Sequence, residues 1–90
     1  MHIIVMSYEF SQDYDIALVS RSLLPYTHDE FIAAVQKYLD DCEIETTVQN
    51  GWTSEDGNTY VTISDDVIHI SDESDGFGGS KSTIFKILEV

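Results

Sequence analysis

The stretch DGFGGSKST, Asp75 to Thr83, holds the densest set of phosphate-type residues in the chain: three glycines, then Lys81 between Ser80 and Ser82, then Thr83. A phosphate-binding loop of the form G-x-x-x-x-G-K-[ST] cradles phosphate in backbone N–H groups, follows a strand and opens a helix. Counted back from Lys81, its two glycines fall at Asp75 and Ser80. Asp75, with Asp72 and Glu73 upstream, would set carboxylates against a phosphate. The stretch therefore reads as a glycine connector that returns the last apolar run to the fold. Phe77 reads as a core side chain, with a binding anchor as the alternative.

The overlapping SDESDG suggests calcium. With Gly76 at the sixth place of an EF-hand loop, Ser71 falls at the first and Ser82 at the twelfth, where a bidentate Glu is needed. Transition metals need convergent ligands. His69 lies between Ile68 and Ile70 and reads as a polar-face strand residue, and His2 and His28 have no metal spacing. Cys42 and the serines sit in no nucleophile motif. No catalytic residue, metal ligand or cofactor is expected, and the chain does not read as an enzyme.

Whatever these residues do, a small set of elements must position them. HIIVMSYEF and YDIALVS are rich in strand formers and flank a polar turn, so the first 22 residues predict a hairpin. The second run is apolar on both faces, as a central strand would be. In PYTHDEFIAAVQKYLDDC, Thr27 and Glu30 form a capping box, and Tyr26 and Phe31 take the places of a hydrophobic staple. Phe31, Val35, Tyr38, Leu39 and Cys42 then make an apolar stripe, with Gln36, Lys37, Asp40 and Asp41 opposite.

EIETTVQN alternates Ile44, Thr46 and Val48 against Glu45, Thr47 and Gln49, the signature of a strand with one wet face. Asp56-Gly57 predicts a turn, TYVTIS a strand, Asp65-Asp66 a second turn and VIHIS another strand. The three segments read as a meander, with Val61, Ile63, Ile68 and Ile70 facing the helix. STIFKILEV suits a short helix capped by Ser82 or a short edge strand, and the helix is favoured. The expected fold is one acidic α+β domain over residues 1–90. It has a small, mostly antiparallel sheet of about five strands in the order β-β-α-β-β-β, packed on one amphipathic helix, with a short C-terminal helix or strand.

Charge is the strongest signal. Seventeen Asp and Glu face four Lys and Arg, a formal net of −13 with histidines neutral. Such a chain repels nucleic acid and anionic membranes, and no run of 18 apolar residues predicts a span. It attracts and steers a basic partner. A single cysteine forms no internal disulfide and fits a reducing, cytoplasmic setting. At the helix end, Asp40, Asp41 and Glu43 oppose the macrodipole, where acids are unfavourable by about 0.3–1 kcal/mol each. Helix stability alone would place lysines there.

The expected function is binding. Asp40, Asp41, Glu43, Glu45, Glu55, Asp56, Asp65, Asp66, Asp72 and Glu73 are the candidate partner-binding residues. Spread over turns and a helix end, such carboxylates can imitate a phosphate backbone and fill grooves that hold nucleic acid. Tyr8, Tyr14, Trp52 and Tyr60 would add aromatic anchors where exposed.

In size, charge and lack of a catalytic signature the chain resembles small phage proteins that block host-defence nucleases, such as anti-CRISPR and anti-restriction inhibitors. The resemblance implies a basic nucleic-acid-binding protein or complex as partner, with evasion of host defence as the outcome and the inhibitor a monomer or small homo-oligomer. Acidic immunity proteins that neutralise nuclease toxins are similar in the same respects. An accessory domain whose acidity only serves solubility is the third reading.

Overall fold

Strand-forming alternation at the start of the chain gives a long hairpin of β1 (His2–Phe10) and β2 (Asp13–Ser22), paired antiparallel throughout. The computed structural model describes residues 1–10, 13–73 and 81–90, and of residues 9, 10, 13 and 14 the backbone alone. Ile4 and Met6 of β1 turn inward, and Ile4 is fully buried. The register slips opposite Ile4 and Val5, where Leu18 and Ser20 are the partners. Val19 is the extra residue of this bulge and packs against the core. β2 is an edge strand, not the central one its apolar faces predict. Ile16 is 60% and Leu18 56% exposed.

α1 (His28–Asp41) starts where the capping box predicts. The Thr27 side chain accepts from the Glu30 amide at 3.1 Å, and the Glu30 carboxylate accepts from the Thr27 amide at 2.9 Å. Phe31, Val35 and Leu39 are buried. Cys42 departs from the expected stripe. It caps the helix and is exposed. Gln36 also departs, turning to the chain that follows instead of to solvent.

The predicted strand over residues 44–49 is not a strand. Its alternation is satisfied in another way. Thr46 and Val48 are buried, but their backbone is held by one side chain, with Gln36 donating to the Thr46 carbonyl at 2.9 Å and accepting from the Val48 amide at 2.8 Å. A glutamine amide presents N–H donors and a carbonyl acceptor in one plane, which is what an extended peptide segment needs from a sheet neighbour. The chain then returns along the sheet, with Thr53 bridged to Tyr60, and turns at Asp56-Gly57, where Gly57 has φ 78°.

β3 (Thr59–Ile63), β4 (Val67–Asp72) and β5 (Lys81–Glu89) form an antiparallel meander. The meander is therefore built from a different third member than the sequence predicts. The favoured C-terminal helix is overturned in favour of its alternative, a strand, which lies at the centre of the sheet and not at its edge. β5 pairs with β1 on one side and β4 on the other, at the middle of a sheet ordered β2-β1-β5-β4-β3. Its four apolar residues, Ile84, Phe85, Ile87 and Leu88, are satisfied by a strand with neighbours on both sides, and Phe85 is fully buried. Ser82 lies in this strand and caps nothing. The α+β class and the five-stranded antiparallel sheet on one helix stand as expected. Val61, Ile63, Ile68 and Ile70 do face the helix. No described helix is long and apolar enough to cross a membrane.

Candidate functional site

Strand direction decides which acids meet. Alternating directions bring the ends of β1 and β4 and the starts of β2, β3 and β5 to one end of the sheet. Tyr8, Asp72, Lys81 and Thr59 share a cavity there with Tyr38, Leu39 and Cys42, so the C-terminus of α1 lies at the same end. Eight of the ten candidate acids, Asp40, Asp41, Glu43, Glu45, Glu55, Asp56, Asp72 and Glu73, come to this end from the helix terminus, the following segment, the Asp56-Gly57 turn and the end of β4. Asp15, near the start of β2, joins them. Asp65 and Asp66 do not, because the β3–β4 turn closes the opposite end.

The eight form a connected string. Asp40, Glu43 and Glu45 line one shallow groove, and Glu45, Glu55 and Asp56 line the next, with Trp52 in its wall. The Glu73 amide donates to the Asn58 carbonyl at 2.8 Å, which seats the end of β4 beside the Asp56 turn. Seven of the eight are exposed, and Asp72 alone is half-buried. Cations here are few. Lys37 is bound to Asp41 at 2.8 Å, which lifts the lysine above its ordinary range, and Lys81 stands opposite Asp72 across β4 and β5.

Local hydrogen bonds fix two of these acids. Asp56 accepts from the Ser54 hydroxyl at 2.6 Å and from the Asn58 amide at 3.0 Å. Those bonds, the Ser54 hydroxyl first, hold its carboxyl below the usual range and keep it charged. Asp40 accepts from Gln36 at 3.0 Å, the same residue that clamps the 46–48 segment. Glu43 has φ 59°, in the left-handed region that favours glycine. The helix ends in a Schellman turn in which the Glu43 amide donates to Asp40 at 3.0 Å and the Ile44 amide to Leu39 at 2.9 Å. An acid thus occupies both the negative end of the helix dipole and a strained backbone position.

Inside the string of acids, the cavity between α1 and the sheet measures about 300 Å³. Met6, Leu39, Ile44, Ile70 and Phe85 give it an apolar wall. Tyr38 sets its ring edge-on to Phe85 at 5.9 Å, and burial pushes its hydroxyl above the ordinary range. Sequence reasoning missed this cavity because its wall comes from several separate elements. Of the predicted aromatic anchors, Tyr60 is exposed on β3, Trp52 and Tyr8 are half-buried, and the Tyr14 side chain lies outside the described residues. Phe77 and most of the glycine connector also lie outside them. Lys81, Ser82 and Thr83 are in a strand, where a phosphate loop would open a helix. Ser71 and Ser82, the first and twelfth places of the calcium reading, are cross-strand partners. His69 lies on β4 with its Nε2 at 2.6 Å from the Ser82 hydroxyl.

Compared with protein-family models, with curated proteins and with solved structures, the chain matches none of them.

Proposed function

We propose that this protein is an inhibitor that docks its carboxylate-lined end on the basic surface of a nucleic-acid-binding protein and so competes with nucleic acid there. One observation carries the reading. Eight acids from four separate segments converge at one end, and one of them, Glu43, occupies a position where both the helix dipole and the backbone disfavour it. Stability gives no reason to hold an acid there, whereas a cationic partner does. Carboxylates strung along two adjoining grooves offer such a partner a row of anionic acceptors, as a phosphate backbone does. The apolar cavity inside the row gives room for an anchoring side chain.

The defence nucleases of CRISPR and restriction systems are partners of this chemistry, and a secreted nuclease toxin is another. A cytoplasmic setting belongs with the same reading, since the exposed Cys42 thiol is best kept in a reducing compartment. The test is a tagged pull-down from nuclease-treated host lysate, washed first at low and then at high salt. Recovery of a nucleic-acid-binding protein that releases as salt rises supports the proposal, because surface charge pairs are screened over about 8–10 Å. The reading fails if such a protein is retained equally by the wild type and by a variant with Asp40, Asp41, Glu43 and Glu45 changed to Lys.

A further inference from the structure

The sheet has a second face, and its charge is unlike the rest of the molecule. Side chains alternate along each strand, so the residues next to those facing α1 point away from it. The outer positions include Ile3 and Val5 of β1, Ile16 and Leu18 of β2 and Ile84 and Leu88 of β5, interspersed with polar ones such as Ser7, Ser71 and Ser82. None of the apolar residues among them belongs to the core or packs against it. Ile16, Leu18 and Leu88 are 60%, 56% and 43% exposed.

Five acids lie in the strands: Glu9, Asp13, Asp15, Asp72 and Glu89. By register, Asp13, Asp15, Asp72 and Glu89 take positions on the helix side, and Glu9 alone falls on the outer face. Two of the four cations of the chain, Arg21 and Lys86, are on this face. In a molecule of net charge −13, the strands carry one carboxylate position to this face among the described residues.

We infer that two copies of this chain pack outer face against outer face as a two-fold dimer. Charge argues for a second copy. Two such anions repel wherever their carboxylates oppose, and this face brings almost none together. It also selects the axis. A two-fold running across the strands faces the Arg21 end of each copy with the Glu9 end of the other. It also sends the two acid-lined ends to opposite poles, whereas an axis along the strands would set them side by side. Area argues the same way. The five strands hold 39 residues in total (9, 10, 5, 6 and 9). At about 3.4 Å per residue and about 4.8 Å between strands, the face covers roughly 640 Å², so a pair buries roughly 1,300 Å², the size of a standard specific interface. Facing sheets of this kind pack about 10 Å apart with their side chains interdigitated.

The experiment is sedimentation equilibrium of the full chain across a concentration series at low and high sodium chloride. The dimer is expected to tighten as salt rises, because screening removes the repulsion between the two anions while the apolar contact remains. Leu18→Glu and Ile84→Glu each place a carboxylate on the face and are expected to weaken association at least tenfold. Leu18 is exposed in the monomer, so Leu18→Glu folds normally, which circular dichroism verifies. A chain that stays monomeric at high salt and millimolar concentration overturns the inference. So does a dimer whose affinity neither substitution changes.

Discussion

The amide of Ile44 donates to the carbonyl of Leu39 across 2.9 Å, and between them Glu43 is folded into a left-handed turn. A glycine would hold that turn without strain. Glu43→Gly removes the strain and an acid from the negative end of the helix dipole, offset in part by the extra freedom of glycine in the unfolded chain. We expect a gain of about 0.5–1 kcal/mol in urea unfolding together with weaker binding of the basic partner. A loss of stability would show that Glu43 makes a stabilising contact in the fold and would remove the main argument for a functional role.

Gln36 does for residues 46–48 what a neighbouring strand would have done. Gln36→Ala leaves the Thr46 carbonyl and the Val48 amide without their partner, at a cost of about 2–3 kcal/mol. Gln36→Glu keeps the acceptor for Val48 but sets a carboxylate against the Thr46 carbonyl and the Asp40 carboxylate, a repulsion that alanine lacks. Amide hydrogen exchange reads the difference directly. Val48 is expected to lose protection in the alanine variant and to keep most of it in the glutamate variant.

The capping box gives a pH signature. The Glu30 carboxyl is held below its ordinary value of 4.5, chiefly by the Thr27 amide. A carboxyl with a lowered folded pKa adds stability that is complete above its unfolded pKa and is lost as pH falls through the folded one. Thr27→Ala is expected to cost about 1 kcal/mol at pH 7. Glu30→Gln retains an acceptor but no titration, so its stability relative to wild type should improve as pH drops from 5 to 3. Asp56, lowered by Ser54 and Asn58, predicts the same sign for Asp56→Asn. Urea midpoints at the two pH values check both.

Phe85 tests the place of β5. A fully buried ring on the middle strand, edge-on to Tyr38, should cost about 3–5 kcal/mol when cut to alanine. Leu88→Ala, on the outer face of the same strand, should cost well under half of that in the monomer. Equal costs would mean that β5 is not the central strand.

Local chemistry made much of this fold legible in the sequence. The capping box, the Asp56-Gly57 turn and the β1–β2 hairpin depend on residues within a few positions of each other, and each is where its pattern predicts. The misreadings, from β2 at the sheet edge to residues 44–49 and the last run, are largely non-local. The alternation of residues 44–49 predicts a strand because one face must be buried, but it does not say whether a strand or a side chain such as Gln36 will satisfy the backbone. Ile84 to Leu88 suit a helix or a strand, the pattern favours the helix, and only the open space between β1 and β4 decides for the strand. The same division holds for function. Composition established the strong negative charge, and the helical pattern of residues 27–42 placed acids at the wrong end of the helix dipole. Tertiary structure decided that eight acids share one end, that Asp65 and Asp66 do not, and that one sheet face is nearly free of them. Strand direction and register set those groupings, and both arise from pairing between residues far apart in the chain.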